Sequence, residues 1–254
     1  TVNASTGEVT IVAAGTTTIT ATYAGNDEYK ASSASYTINV TDPTNIYTSI
    51  QQLQEAATST SAAFQMQMTD IYVTATKGAS QVWISDGTYG ALIYTNGHGL
   101  SAGQKLNGSL SANLVLFNGA TEITNFSSEG LTVTEETLSP VEKNIGDITI
   151  ANQSLPVIMN NLTYNATDKT LSDGTNTIAF YDQFSTGVSL EDGHIYNITG
   201  LIVYYNKLQL APFTAADVVD VTPAVAVEAP VFSPAGGTYT EDQVVTITCA
   251  TENT

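Results

Sequence analysis

Ser85-Asp86-Gly87-Thr88 recurs as Ser172-Asp173-Gly174-Thr175, 87 residues later in a chain of 254. Around this pair the chain repeats itself. Ala91-Leu92-Ile93-Tyr94 matches Ile178-Ala179-Phe180-Tyr181. Leu100 with Gly103, then Asn107-Gly108, matches Leu190 with Gly193, then Asn197 and Gly200. Leu116-Phe117-Asn118 matches Tyr204-Tyr205-Asn206. Several features in one order at a nearly constant offset mark tandem copies of one unit. Asp-Gly between apolar alternations reads as a tight hairpin turn. Each copy then holds a strand, an Asp-Gly hairpin, a strand, a Gly-containing loop and a longer hairpin. Five such strands suit a small Greek-key barrel.

Outward from the repeats the pattern stays almost wholly β. Glu8–Ala14, Thr17–Tyr23 and Ala34–Val40 read as strands, with a turn at Gly25-Asn26-Asp27-Glu28. Asp42-Pro43 closes that unit, because a strand interior rarely tolerates proline. Thr48–Ala57 reads as the one convincing helix. Thr48 with Gln51, or Ser49 with Gln52, fits a capping box, and Ile50, Leu53 and Ala57 form its apolar stripe. Phe64, Met66 and Met68 then alternate with Gln65 and Gln67 as a half-buried strand. The expected division is 1–42, a first repeat at 43–138 with its leading helix, a second at 139–222, a Pro/Ala linker at 223–229 and a new β pattern at 230–254. The fold class is all-β: two tandem barrels flanked by pieces of β-sandwich.

Composition narrows the function. Lys and Arg total 6 against 24 Asp and Glu, a net charge of −18, and all six basic residues are lysines. That argues against a basic nucleic-acid surface or a polybasic membrane anchor. No apolar run reaches the roughly 18 residues of a membrane helix. Cys249 is the single cysteine, so an internal disulfide is excluded. With only His98 and His194 beside it, so is a Cys/His zinc site. No cofactor motif is present. Asn-x-Ser/Thr sequons, among them those at Asn3, Asn107, Asn125, Asn152, Asn161, Asn165 and Asn197, read as ordinary turn and edge residues of a bacterial chain.

Three segments resemble known families. Val2-Asn3-Ala4-Ser5-Thr6-Gly7-Glu8-Val9-Thr10, Ala14–Tyr23 and Tyr36–Val40 resemble the second half of a bacterial Ig-like domain of group 2. Pro230-Val231-Phe232-Ser233-Pro234-Ala235-Gly236-Gly237-Thr238-Tyr239 with Val244–Cys249 resembles the start of the β-sandwich appended to chitobiases and other secreted glycosidases. The central repeats, with Ile84–Thr88, Gly103 and Gly193, resemble OB folds found in tandem in bacterial surface proteins and beside secreted nucleases. These resemblances imply a piece of an exported, multi-domain bacterial protein, secreted or at the cell surface, whose partners include its own neighbouring domains. A half sandwich at Thr1–Val40 is expected to be frayed, or packed on the first repeat or a neighbouring chain.

The candidate ligand-binding residues are aromatic. Val82 and Ile84 share one face of a strand, so Trp83 points the other way. By the same parity Ala91, Ile93, Ile178 and Phe180 face the core, and Tyr94 and Tyr181 face out. Rings on such a face stack on bases or sugars; the competing reading packs them against the neighbouring repeat. Tyr204, Tyr205 and Lys207 sit on the hairpin where OB folds carry a ligand-contacting loop, although the matching Asn118-Gly119 also reads as a plain turn. Asp86 and Asp173, with Asp70, Asp168 or Asp182, would offer oxygen ligands to calcium, but turn-building is the expected role. His98, in a mobile loop, and His194 have no catalytic motif around them, and no catalytic residue is assigned. The leading expectation is a non-catalytic spacer or adhesion module. The alternative is an OB-type binding module for glycan or single-stranded nucleic acid. The third is an accessory part of a secreted nuclease or glycosidase.

Overall fold

The computed structural model describes residues 2–10, 15–40, 45–224 and 227–250. Near the start, alternating threonines and β-branched residues form a hairpin. Strand β1 (Gly15–Tyr23) pairs antiparallel with β2 (Ser32–Val40) over nine residues. Asn26 builds the connecting turn, its side-chain oxygen accepting from the backbone N–H of Glu28 and Tyr29 at 3.0 and 2.7 Å. No described side chain before residue 41 is buried, and Tyr36 is 70% exposed. This is a hairpin without a core, not a closed sandwich. Of the strand expected at Glu8–Ala14, Val9 makes one bridge, to Val2, while 11–14 lie outside the described residues, as does Asp42-Pro43.

The first repeat begins with β3 (Asn45–Tyr47) and helix α1 (Ile50–Ala56), shorter than the Thr48–Ala57 expected. Ser49 caps the helix, accepting from the Gln52 N–H at 3.3 Å. The return bond runs from the Thr48 N–H to Gln52 Oε1 at 2.8 Å, one residue before the cap. Ile50 and Leu53 plug the barrel and are fully buried.

Five strands close that barrel: β4 (Ala62–Lys77), β5 (Gln81–Ser85), β6 (Gly90–Tyr94), β7 (Gln104–Phe117) and β8 (Ala120–Thr124). The order is β4-β5-β6-β8-β7, with β7 returning to β4, and β6 and β8 run parallel. A sixth neighbour, β9 (Leu131–Glu135), lies on β7, and β3 runs parallel to β4. Phe64, Met66, Met68, Val82, Ile84 and Ile93 fill the interior, the side that alternation assigns to them. Each such residue removed from water contributes about 1.5–3 kcal/mol.

The second repeat builds the same object. Its strands are β10 (Val141–Glu142), β11 (Pro156–Asn165), β12 (Thr170–Ser172), β13 (Thr177–Phe180), β14 (Ile195–Tyr204), β15 (Leu208–Pro212) and β16 (Val218–Asp220). Order, closure and the parallel β13–β15 pair match the first copy. Two short 3-10 turns, Ile145–Asp147 and Ile150–Asn152, stand where the first copy has its helix. The chain is thus all-β with two closed five-stranded barrels in tandem.

The matches in sequence correspond to matched local chemistry. In each Asp-Gly turn the carboxylate accepts two backbone N–H bonds. Asp86 takes those of Thr88 and Tyr89 at 2.9 and 2.7 Å, and Asp173 those of Thr175 and Asn176 at the same distances. Long strands β4 and β11 each carry a bulge with one residue at positive φ, Asp70 at 51° and Asn161 at 56°. An asparagine on the facing strand holds each bulge. The Asp70 N–H donates to Asn107 Oδ1 at 2.9 Å, and the Asn161 N–H to Asn197 Oδ1 at 2.8 Å.

The chain divides into two compact units, 1–220 and 221–254. In the second, β17 (Val231–Ser233) pairs with β18 (Thr246–Thr248), and all six side chains are exposed.

Candidate functional site

The residues joining the barrels are mostly polar and lie in 149–154. Gln153 is 2% exposed. Its amide nitrogen donates to Gly90 O at 2.9 Å and to Thr121 O at 3.1 Å, and its oxygen accepts from the Thr121 N–H at 3.3 Å. Ser154 donates to Ala91 O at 2.9 Å, while Thr74 donates to Ser154 O at 2.9 Å. Gln54 on α1 reaches Ala151 O at 3.0 Å. Position 90 must be glycine here, since a Cβ would sit 1.7 Å from Gln153 O. These bonds satisfy the free backbone groups of one barrel with side chains of the other, which fixes their relative position.

Beside the polar seam lies an apolar one. Ala75 and Trp83 of the first barrel meet Leu201, Val203 and Ala211 of the second. Trp83 is 4% exposed, and its ring stands edge-on to Phe184, 5.4 Å between centroids. Phe184 in turn stacks on Phe213. Strand β14 is therefore buried on both faces: Ile202 in its own barrel, Leu201 and Val203 in the seam.

The seam opens into a groove of about 810 Å³. Its walls are repeat-equivalent positions. Tyr94 faces it from one barrel and Tyr181 from the other; Val115 matches Val203, Phe117 matches Tyr205, and Glu122 matches Gln209. The last equivalence follows from register, because Glu122 pairs with Leu92 and Gln209 with Ala179. The hairpin tips touch across the groove: the Asn206 N–H donates to Asn118 O at 3.0 Å, and the Tyr204 ring lies against Gly119. Gly119 has φ +83°, and a Cβ there would meet that ring at 2.6 Å.

Five of the six residues selected from sequence border this one groove. Tyr94, Tyr181 and Tyr205 are about half exposed, Tyr204 is partly buried, and Trp83 lies where the apolar seam meets the groove. Lys207 is exposed at the hairpin tip and does not border the groove; Lys77 is the bordering cation. Phe117, Glu122 and Gln209 were not foreseen. The signal for Glu122 was parity: it alternates with Ile123 and sits beside Val115 on the neighbouring strand.

Glu122 is the electrostatic feature of the groove. Burial pushes its carboxyl up to about 7. Among the described residues it makes no hydrogen bond or ion pair. Nearby, Asp182 is ordinary by contrast. Burial works to raise it, but N–H bonds from Thr186 and Gly187 at 2.8 and 3.0 Å, with help from Lys77, hold it below the usual range.

No family model matches the sequence, and no curated protein matches it. A solved structure described as "Structural mimicry for functional antagonism" aligns over 64% of this chain and 92% of its own, at 11% identity and a TM-score of 0.24. A likeness that shallow says nothing about function.

The remaining candidates are structural. No group of three or more His, Cys, Asp or Glu is placed to hold a metal among the described residues. Asp86 and Asp173 each direct Oδ1 to two N–H groups of their own turns. His98, in the loop between Gly97 and Gly99, is buried, and its Nδ1 accepts from the Leu100 N–H at 3.1 Å. His194 Nδ1 lies 2.7 Å from Asp220 Oδ2, tying β14 to β16.

Proposed function

We propose that the paired barrels form a rigid, non-catalytic binding unit, and that its ligand is a glycan. One observation carries this reading: rings from both barrels stand half exposed around one groove, at equivalent positions. Exposed rings clustered in a concave site are the usual mark of a binding surface. The volume suits a small oligosaccharide. Sugars need rings for their C–H faces and neutral hydrogen-bonding groups, here Gln81, Thr124, Gln183 and Gln209.

Single-stranded nucleic acid also stacks on rings, but it needs a positively charged track. One bordering lysine, one bordering carboxylate and a net charge of −18 weigh against it. The spacer role is a second reading favoured by the Gln153 seam, since interlocked barrels hold a fixed length. An exported, cell-surface setting belongs to the same proposal and rests on the resemblances of the flanking segments.

The test is a glycan panel followed by calorimetry on the full chain, with Tyr94→Ala and Tyr181→Ala alongside. Saturable binding weakened at least tenfold by each substitution is expected. Absence of binding at millimolar glycan, with the fold intact, leaves the spacer reading.

A further inference from the structure

Glu122 is out of place in a merely apolar groove. Its carboxylate is partly withdrawn from water without a partner, an unfavourable arrangement for an anion. The fold does not require a carboxylate there. The second barrel builds the equivalent position of β15 with Gln209, which is isosteric and neutral. Rings line the same groove, and the π-face of an aromatic ring attracts cations. The other ionisable groups bordering the groove are Lys77 on β4, Tyr94 on β6, Tyr181 after β13, Tyr204 on β14 and Tyr205 in the following turn. Among the described residues no second acid borders the groove, and no ion pair joins Lys77 to Glu122. A carboxylate without an ion-pair partner in a ring-lined groove is suited to receive an organic ammonium.

We propose that Glu122 forms a subsite for a ligand ammonium, so that the groove prefers an amino sugar with a free amine over its neutral N-acetylated form. This rests on the groove being a glycan site. The negative charge of the whole chain favours approach of such a ligand.

The experiment compares oligomers of glucosamine and of N-acetylglucosamine by calorimetry on the full chain at pH 7.0, where both Glu122 and the ligand amine are substantially charged. Choline serves as a cationic probe whose charge does not titrate. The free-amine oligomer should bind roughly tenfold tighter than the acetylated one. Choline should bind about tenfold tighter at pH 8 than at pH 6, as Glu122 ionises. Glu122→Gln should bring the oligomer ratio to about one and flatten the choline profile, with far-UV circular dichroism confirming the fold. Equal affinity for both oligomers, or a preference that survives Glu122→Gln, overturns the ammonium subsite and leaves the glycan groove standing. Glu122-dependent choline binding without any oligomer binding overturns the glycan reading and keeps the subsite. No binding of any probe removes both.

Discussion

Replacing Gln153 by alanine should loosen the two barrels from each other. Gly90 O would keep a partner, because Gln54 also donates to it at 2.7 Å. Thr121 would lose more: its N–H would lose the Gln153 oxygen, its C=O would lose one donor, and the residue is 3% exposed. A buried polar group left unpaired costs about 1–3 kcal/mol. That one group, with the additional bonds lost at two carbonyls and partial relief by water entering the gap, amounts to roughly 2 kcal/mol. With a urea slope of about 2 kcal/mol/M, the unfolding midpoint should fall by roughly 1 M. The chain has one tryptophan, and Trp83 sits in the seam against Phe184, so its fluorescence reports separation of the barrels directly. In the unsubstituted protein, fluorescence and far-UV circular dichroism should change together. In Gln153→Ala the fluorescence should lead. Gln51→Ala, which removes only an exposed bond to Glu55, should move the midpoint by less than about 0.3 M. If Gln153→Ala behaves like that control, the seam is not what joins the barrels.

Two further outcomes concern pH. The hydrogen bond that His194 donates to Asp220 raises it, and the charges of Asp220 and Glu191 add to this against an opposing burial effect. A raised histidine contributes stability that is fully present below about pH 6.5 and is lost as pH climbs through the folded value. The Tm advantage of the native chain over His194→Gln should therefore shrink between pH 6 and 9; an advantage that stays constant would contradict the ion pair. Asp173 is lowered by the N–H groups of Asn176 and Thr175. Its contribution is present above about pH 4 and disappears as pH falls through its depressed value. Acid unfolding of Asp173→Ala should accordingly converge with that of the native chain at low pH, and a gap that widens on acidification would refute this.

How far the sequence could be read depended on which forces act locally. The Asp-Gly turns were legible because an aspartate side chain bonds its own next two residues. Strand faces were legible because parity is local: Val82 and Ile84 enter the first core and Trp83 does not. Parity alone could not say what lies on the outer face. For Trp83 it is the neighbouring barrel; for Tyr94 and Tyr181 it is the groove. Gln153 and Ser154 gave no signal in the sequence, because their partners lie more than thirty residues away. Lys207 looked like the cation beside the rings, but the hairpin tip carries it outward. His98 looked mobile between two glycines, and only the packing of its loop shows it buried.

The groove exists only where two copies meet. Neither barrel contains it: each supplies half of every matched pair, and the copies differ where one has Glu122 and the other Gln209. A lone barrel would inherit a single wall, with Trp83 or Val203 bare to solvent. The heritable module is therefore the doublet. Recombination that moves one repeat without its twin should erase the site and leave an insoluble face, while transfer of both together should carry the site intact into a new polypeptide.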